Sequence, residues 1–184
     1  IKPGTVINDI AAHEDMLTTL LAACGDANVK NDLLKGRTVG NRNYKVHLDG
    51  YNLMPALKGE AEWPRKEFIY WTDDGSVAAL RYDNWKVTFL KQEAEGLQVW
   101  QKPFTALRAP ELTNLRMDPF ERAQQENAMG YQRWYMDRMF AIAPAGAYVG
   151  QWLQSFREFP PRQKPGSFNL DRVMEAVSRG AGDK

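Results

Sequence analysis

The chain has 184 residues, enough for one domain or for a substantial part of a larger protein. Lysine and arginine total 24 against 23 aspartates and glutamates, which lacks the positive excess that a dedicated nucleic-acid binder uses to neutralise phosphates. The single cysteine, Cys24, excludes an internal disulfide, no Cys/His spacing resembles a zinc site, and no apolar run approaches the length of a membrane span.

Ile1-Lys2-Pro3-Gly4 opens without a methionine or a basic-then-apolar leader, and reads as the middle of a longer polypeptide. Val6, Ile7 and Ile10 suggest a short strand-like segment. Glu14 and Asp15 then open a helix, where acidic groups meet the positive end of the dipole. Met16, Leu17, Leu20, Leu21 and Cys24 share one helical face, and Gly25 stops the helix. That pattern predicts a buried, inert Cys24 thiol. His13, just before the helix, reads as a surface or capping residue. Asn28 to Asn43 is polar and reads as loop, with a helical turn near Leu33-Leu34. Tyr44, Val46 and Leu48 alternate with Lys45, His47 and Asp49, which predicts a short strand with His47 exposed on its polar face. Asp49-Gly50 is a turn, and Leu53, Pro55, Leu57 and Gly59 make a compact turn-helix.

The strongest pattern spans Glu67 to Gln92 and predicts three antiparallel strands. Phe68 to Trp71 is aromatic and β-branched, and the turn Asp73-Asp74-Gly75-Ser76 supplies a glycine for positive φ. Val77 to Tyr82 follows, then the tight turn Asp83-Asn84. Trp85, Val87 and Phe89 alternate with Lys86, Thr88 and Lys91, one face buried and one wet. Gly96 to Pro110 reads as a loose connection, Leu112 to Leu115 as a fourth strand, and Asp118-Pro119 as a turn. Glu126 to Ile142 and Ala147 to Glu158 have helical periodicity, broken at Pro144 and Gly146. They carry aromatic stripes (Tyr131, Trp134, Tyr135; Tyr148, Trp152, Phe156) that read as packing surface. Asn169 can cap a last helix bearing Leu170, Val173, Met174 and Val177, stopped by Gly180. The expected fold is α+β, a four-stranded antiparallel sheet with packed helices. Residues 1–66 form an entry segment with a helix and a short strand, 67–120 the sheet, and 121–184 a helical C-terminal region.

Several of these stretches, in this order, resemble one family. Asn8 to Gly25 resembles a sulfatase segment that enters a helix with Asp, then Pro-Thr, then an apolar run ending in Gly. Asp15, Thr19, Leu20, Leu21 and Gly25 match, and Thr18 stands in place of the proline. Asp49-Gly50 with Leu53, Pro55, Leu57 and Gly59 is similar to the next signature. Arg81 to Lys86 resembles the following strand pair. Glu111-Leu112, Asn114-Leu115 and Asp118-Pro119 with Glu121 and Asn127 resemble the leucine-rich strand and its D-P-x-E turn. Pro160-Pro161 through Phe168 is similar to the tail of some bacterial arylsulfatases. The resemblance covers nearly the whole chain and implies the C-terminal part of an arylsulfatase, a four-stranded sheet with a helix across it that packs on a larger α/β catalytic domain.

The resemblance also implies the chemistry of the whole enzyme. Sulfatases hydrolyse sulfate esters with a formylglycine made from the Cys or Ser of a C/S-x-P-x-R motif, beside a divalent cation, usually calcium. Cys24 is followed by Gly25-Asp26-Ala27, and Ser76, Ser155, Ser167 and Ser178 lack the motif as well. The aspartate pair that opens the family's metal site is absent from the chain. Asp83-Asn84 mimics another part of that site, yet it is followed by Trp85 and lies between two strands, so it reads as a turn. No catalytic, cofactor-binding or metal residue is therefore assigned, and the chain alone is expected to be inactive. Its expected partners are the catalytic domain and, in the whole protein, a sulfate ester; neither nucleic acid nor membrane is expected. A freestanding interaction module and the equivalent part of a related phosphatase or phosphonate hydrolase are the alternatives. The aromatic surface predicts either a symmetric homodimer of the isolated chain or a C-terminal region folded back over the sheet. Asn84→Gly is expected to be neutral or mildly stabilising, on the premise that Asn84 takes the positive φ of the hairpin turn.

Overall fold

A computed structural model of the chain describes residues 1–124 and 129–161. Its centre is a four-stranded antiparallel meander in sequential order, β3 (Glu67–Trp71), β4 (Val77–Tyr82), β5 (Trp85–Lys91) and β6 (Thr105–Asn114). Leu80 pairs with Ile69 on one side and Val87 on the other, and Val87 pairs with Leu112, so four apolar residues form a row across one face. Each is at least nine-tenths buried and contributes about 1.5–3 kcal/mol through removal from water.

The fourth strand is longer than its leucine motif suggests. It begins at Thr105 and carries Pro110 in its interior. This is tolerated because β6 is an edge strand, where no neighbour on its outer side needs the missing N–H. The register shifts between Thr88 and Leu90, so the two halves of β6 pair with β5 around an irregularity. A single 3-10 turn, Gly96–Trp100, occupies the connection that reads as loose in the sequence.

Helices α4 (Met129–Met136) and α5 (Ile142–Leu153) lie over the apolar row, and α6 (Ser155–Glu158) follows with Phe156 against Trp71 at the end of β3. Ala145 and Val149 of α5 enter the core, and Trp134, Tyr135, Tyr148 and Trp152 pack round it. The aromatic stripes meet aromatic partners on the sheet: Trp71 lies 5.4 Å from Trp152 and 5.7 Å from Phe156, and Trp85 stacks on Trp134 at 5.8 Å. The C-terminal helices thus cover this face themselves. The helical breaks differ from the predicted ones. The chain leaves α4 at Asp137, passes through a 3-10 turn at Met139–Ala141, and runs through Gly146 within α5. Pro144 sits in the first turn of α5, where a missing N–H removes no intrahelical bond. The predicted start at Glu126, Asn127 of the family motif, and the helix from Asn169 to Gly180 lie outside the described residues.

The entry segment contains α1 (Asp15–Ala23), α2 (Val29–Lys35), a small hairpin of β1 (Arg37–Val39) and β2 (Arg42–Tyr44), and α3 (Met54–Lys58). The hairpin and α2 occupy the stretch that reads as loop. Val6 to Ile10 forms no strand, and residues 45–53 run without ladder partners beyond the end of β2. The main reversal concerns α1. Its buried residues are Asp15, Thr18 and Thr19, whereas Met16, Leu17 and Leu20 are 41%, 50% and 61% exposed. Cys24 is exposed rather than buried, because the helix turns its hydroxyl-bearing side inward.

Candidate functional site

That reversal is caused by an irregular crossing segment and a buried ion pair at the start of α1, both of which need polar partners. Residues 49–53 cross the first turns of α1 as irregular backbone, whose inward-facing polar groups require partners. Thr18 Oγ1 donates to the Tyr51 carbonyl at 2.6 Å, and the Leu53 amide donates to Thr19 Oγ1 at 3.0 Å. An apolar helix face could satisfy neither. Gly50 completes the fit by close approach: a Cβ there would stand 2.0 Å from the Glu14 carbonyl oxygen.

Asp15, with no exposed surface, is the anchor. Its carboxylate accepts from the Ala12 amide (2.9 Å), the Tyr51 amide (2.7 Å), Arg65 Nε (2.8 Å) and Arg65 Nη2 (2.6 Å). The last two form the bidentate fork that suits guanidinium to carboxylate. Arg65, 3% exposed, also pairs with Glu14 at 2.8 Å and donates from Nη1 to the Glu67 carbonyl. Glu67, at the start of β3, accepts from the Tyr51 hydroxyl at 2.6 Å. One arginine therefore joins the start of α1, the crossing loop and the first strand of the sheet.

The titration behaviour follows from these contacts. Burial works to raise the Asp15 carboxyl, but the Arg65 side chain and the Tyr51 and Ala12 amides outweigh it and hold the group below its ordinary value. Burial likewise opposes the charge on Arg65, and Asp15, Glu14 and Glu67 overcome it. Burial, with Glu67 adding to it, pushes the Tyr51 hydroxyl well up and Tyr148 up to about 12. Both tyrosines stay neutral donors at physiological pH. Lys30 is lowered by burial against the pull of Asp49, and its Nζ donates to the Gly50 carbonyl at 3.0 Å. The Asp15 carboxylate and the Arg65 guanidinium are fully engaged, so the cluster joins three elements and is not poised for proton transfer.

The Asp83-Asn84 pair and His47 fall elsewhere. Asp83-Asn84 is the β4–β5 turn, with the Asp83 amide bonded to the Lys66 carbonyl and the Asn84 carbonyl accepting from Leu115. The positive φ belongs to Asp83, at 48°, and not to Asn84, which corrects the premise for Asn84→Gly. His47 is not on an exposed strand face. It is half-buried, with Nδ1 3.1 Å from Asp49 Oδ1 and its ring 5.8 Å from Phe159. That approach lacks hydrogen-bond geometry, which leaves it an ionic contact available only when His47 is protonated. Among the described residues, no group of three or more His, Cys, Asp or Glu side chains is placed to hold a metal ion, and no helix is long and apolar enough to cross a membrane.

In the sequence alone Asp15 stands at the positive end of a helix dipole, and nothing there joins it to Arg65, Tyr51 or Glu67. The available signal was the pair Thr18-Thr19 beside Asp15, a polar stripe at helical spacing opposite the leucines. No family model matches the chain, and no curated protein matches it.

Proposed function

We propose that the chain is the C-terminal subdomain of an arylsulfatase, a sulfuric ester hydrolase. In this reading it supplies packing support and part of the substrate-pocket wall to a catalytic domain outside these residues. That domain would carry the formylglycine and the calcium ligands. The observation that carries the reading is α1. Its polar side is consumed by Tyr51, Leu53 and Arg65, while Met16, Leu17 and Leu20 face outward. A helix anchored by its polar side and presenting leucines to solvent is suited to being covered by a second body. The matched stretches support the same reading. Within the described residues they fall on α1, on the crossing loop with α3, on the β4–β5 turn, and on β6 with its following Asp118-Pro119 turn, and residues 162–168 of the tail stretch lie outside them.

The test is the activity of the protein encoded by the complete reading frame. It should hydrolyse 4-nitrophenyl sulfate in the presence of calcium and lose that activity when the Cys or Ser of a C/S-x-P-x-R motif is replaced. The 184-residue chain alone should be inactive and should self-associate through α1 in analytical ultracentrifugation. A complete protein without the motif and without sulfate-ester turnover would overturn the proposal. Preferential turnover of 4-nitrophenyl phosphate would instead assign it to the related phosphatases.

A further inference from the structure

Helix α1 is apolar on the side that its polar anchor leaves outward. Met16, Leu17, Leu20, Ala23 and Cys24 are all exposed and fall within one arc of about 120° round the helix. No charged side chain stands between Met16 and Gly25. A surface helix ordinarily turns charged or polar groups to water, and a helix that is apolar there belongs in an interior.

The rest of the entry segment needs the same cover. Its buried apolar residues are Ala12, Val29 and Leu53, none of which belongs to the core of the sheet. What joins it to the sheet is polar: Arg65 between Asp15 and the Glu67 carbonyl, and the Tyr51 hydroxyl on the Glu67 carboxylate. Three buried apolar residues are a slight core for the chain up to Lys58, since units of about 60 residues are marginal even with a complete one. A second copy of the chain offers too little. The stripe presents five residues, enough for weak self-association, whereas a stable interface engages about 20–30 residues a side. A body already tethered to the chain meets α1 at high effective concentration, so a small apolar contact suffices.

We propose that in the complete protein α1 is buried on both sides, with Leu17, Leu20 and Cys24, at i, i+3 and i+7, seated in an uncharged apolar groove of the catalytic domain. The entry segment then shares a core with that domain, and the border with the C-terminal subdomain lies between α3 and β3. That the covering body is the catalytic domain rests on the arylsulfatase reading; that the stripe is covered rests on α1 itself. The leucine stripe is thus a buried face after all, and the Cys24 thiol is exposed only where that second body is missing.

The test compares N-ethylmaleimide labelling of Cys24 in the 184-residue chain and in the protein encoded by the complete reading frame, read by mass spectrometry on the peptide that carries Cys24. The 184-residue chain, kept dilute enough to stay monomeric, should label as an accessible thiol. In the native complete protein labelling should be at least about tenfold slower, and it should recover in unfolding urea. The joint variant Leu17→Lys, Leu20→Lys should restore labelling in the complete protein and leave the rate in the 184-residue chain unchanged. If that variant fails to fold in the complete protein, the comparison of the two parents still decides. Labelling of the native complete protein at the rate of the 184-residue chain would overturn the proposal, and in an active sulfatase it would overturn this proposal alone. Protection in a complete protein without sulfate-ester turnover would support the covered helix and overturn the arylsulfatase reading instead.

Discussion

Replacing Arg65 with methionine tests whether the Asp15–Arg65 contact holds the entry segment to the sheet. The side chain is 3% exposed and supplies two of the four hydrogen bonds to the fully buried Asp15 carboxylate. Methionine fills much of the same volume but leaves that carboxylate with only the Ala12 and Tyr51 amides. Stranding one member of a buried ion pair costs about 3–5 kcal/mol, a large share of the roughly 5–15 kcal/mol that stabilises a domain. Replacing Asp15 with leucine as well would not restore stability, because the two amides would then be buried without acceptors. The dependence on pH gives the loss a signature. Asp15 is held below its ordinary 3.8 in the folded chain, so its contribution is complete above that value and is lost as pH falls through the folded-state pKa. Without Arg65 the burial effect is less opposed, the carboxyl titrates higher, and acid relieves the variant before it harms the parent. Urea unfolding followed by tryptophan fluorescence should show a gap of at least about 3 kcal/mol at neutral pH that narrows towards about pH 3. A gap below about 1 kcal/mol, or one unchanged by acid, would refute the account.

Gly50→Ala should destabilise by about 2 kcal/mol or more, read from the urea midpoint, because its Cβ would collide with the backbone of Glu14. Asp83→Gly should be neutral or stabilising by up to about 1 kcal/mol in thermal melts, since it relieves a positive φ, whereas Asn84→Gly should cost about 0.5–1 kcal/mol. The joint variant Leu17→Lys, Leu20→Lys should leave stability within about 1 kcal/mol of the parent and suppress self-association in sedimentation velocity. Thr19→Val, on the buried side of the same helix, should cost about 1–3 kcal/mol because the Leu53 amide loses its acceptor.

The sheet was legible in the amino-acid sequence because its determinants are local. Alternation through Trp85, Val87 and Phe89 specifies a face, Asp73-Asp74-Gly75-Ser76 and Asp83-Asn84 specify turns, and the first three strands of the sheet follow where these place them. The aromatic stripes of the C-terminal region were likewise readable as packing surface. What they pack on, Trp71 and Trp85, is a matter of tertiary arrangement. The orientation of α1 was decided only by the tertiary structure. Its sequence carries two stripes at helical spacing, and burying the leucines is the better choice for an isolated helix. The irregular chain at Gly50, Tyr51 and Leu53 reverses that choice, since its inward-facing backbone groups need hydroxyls and a carboxylate that only the opposite stripe provides. Periodicity reports the hydrophobic gain of each face, but it cannot report an unmet hydrogen-bond demand from a segment more than thirty residues away.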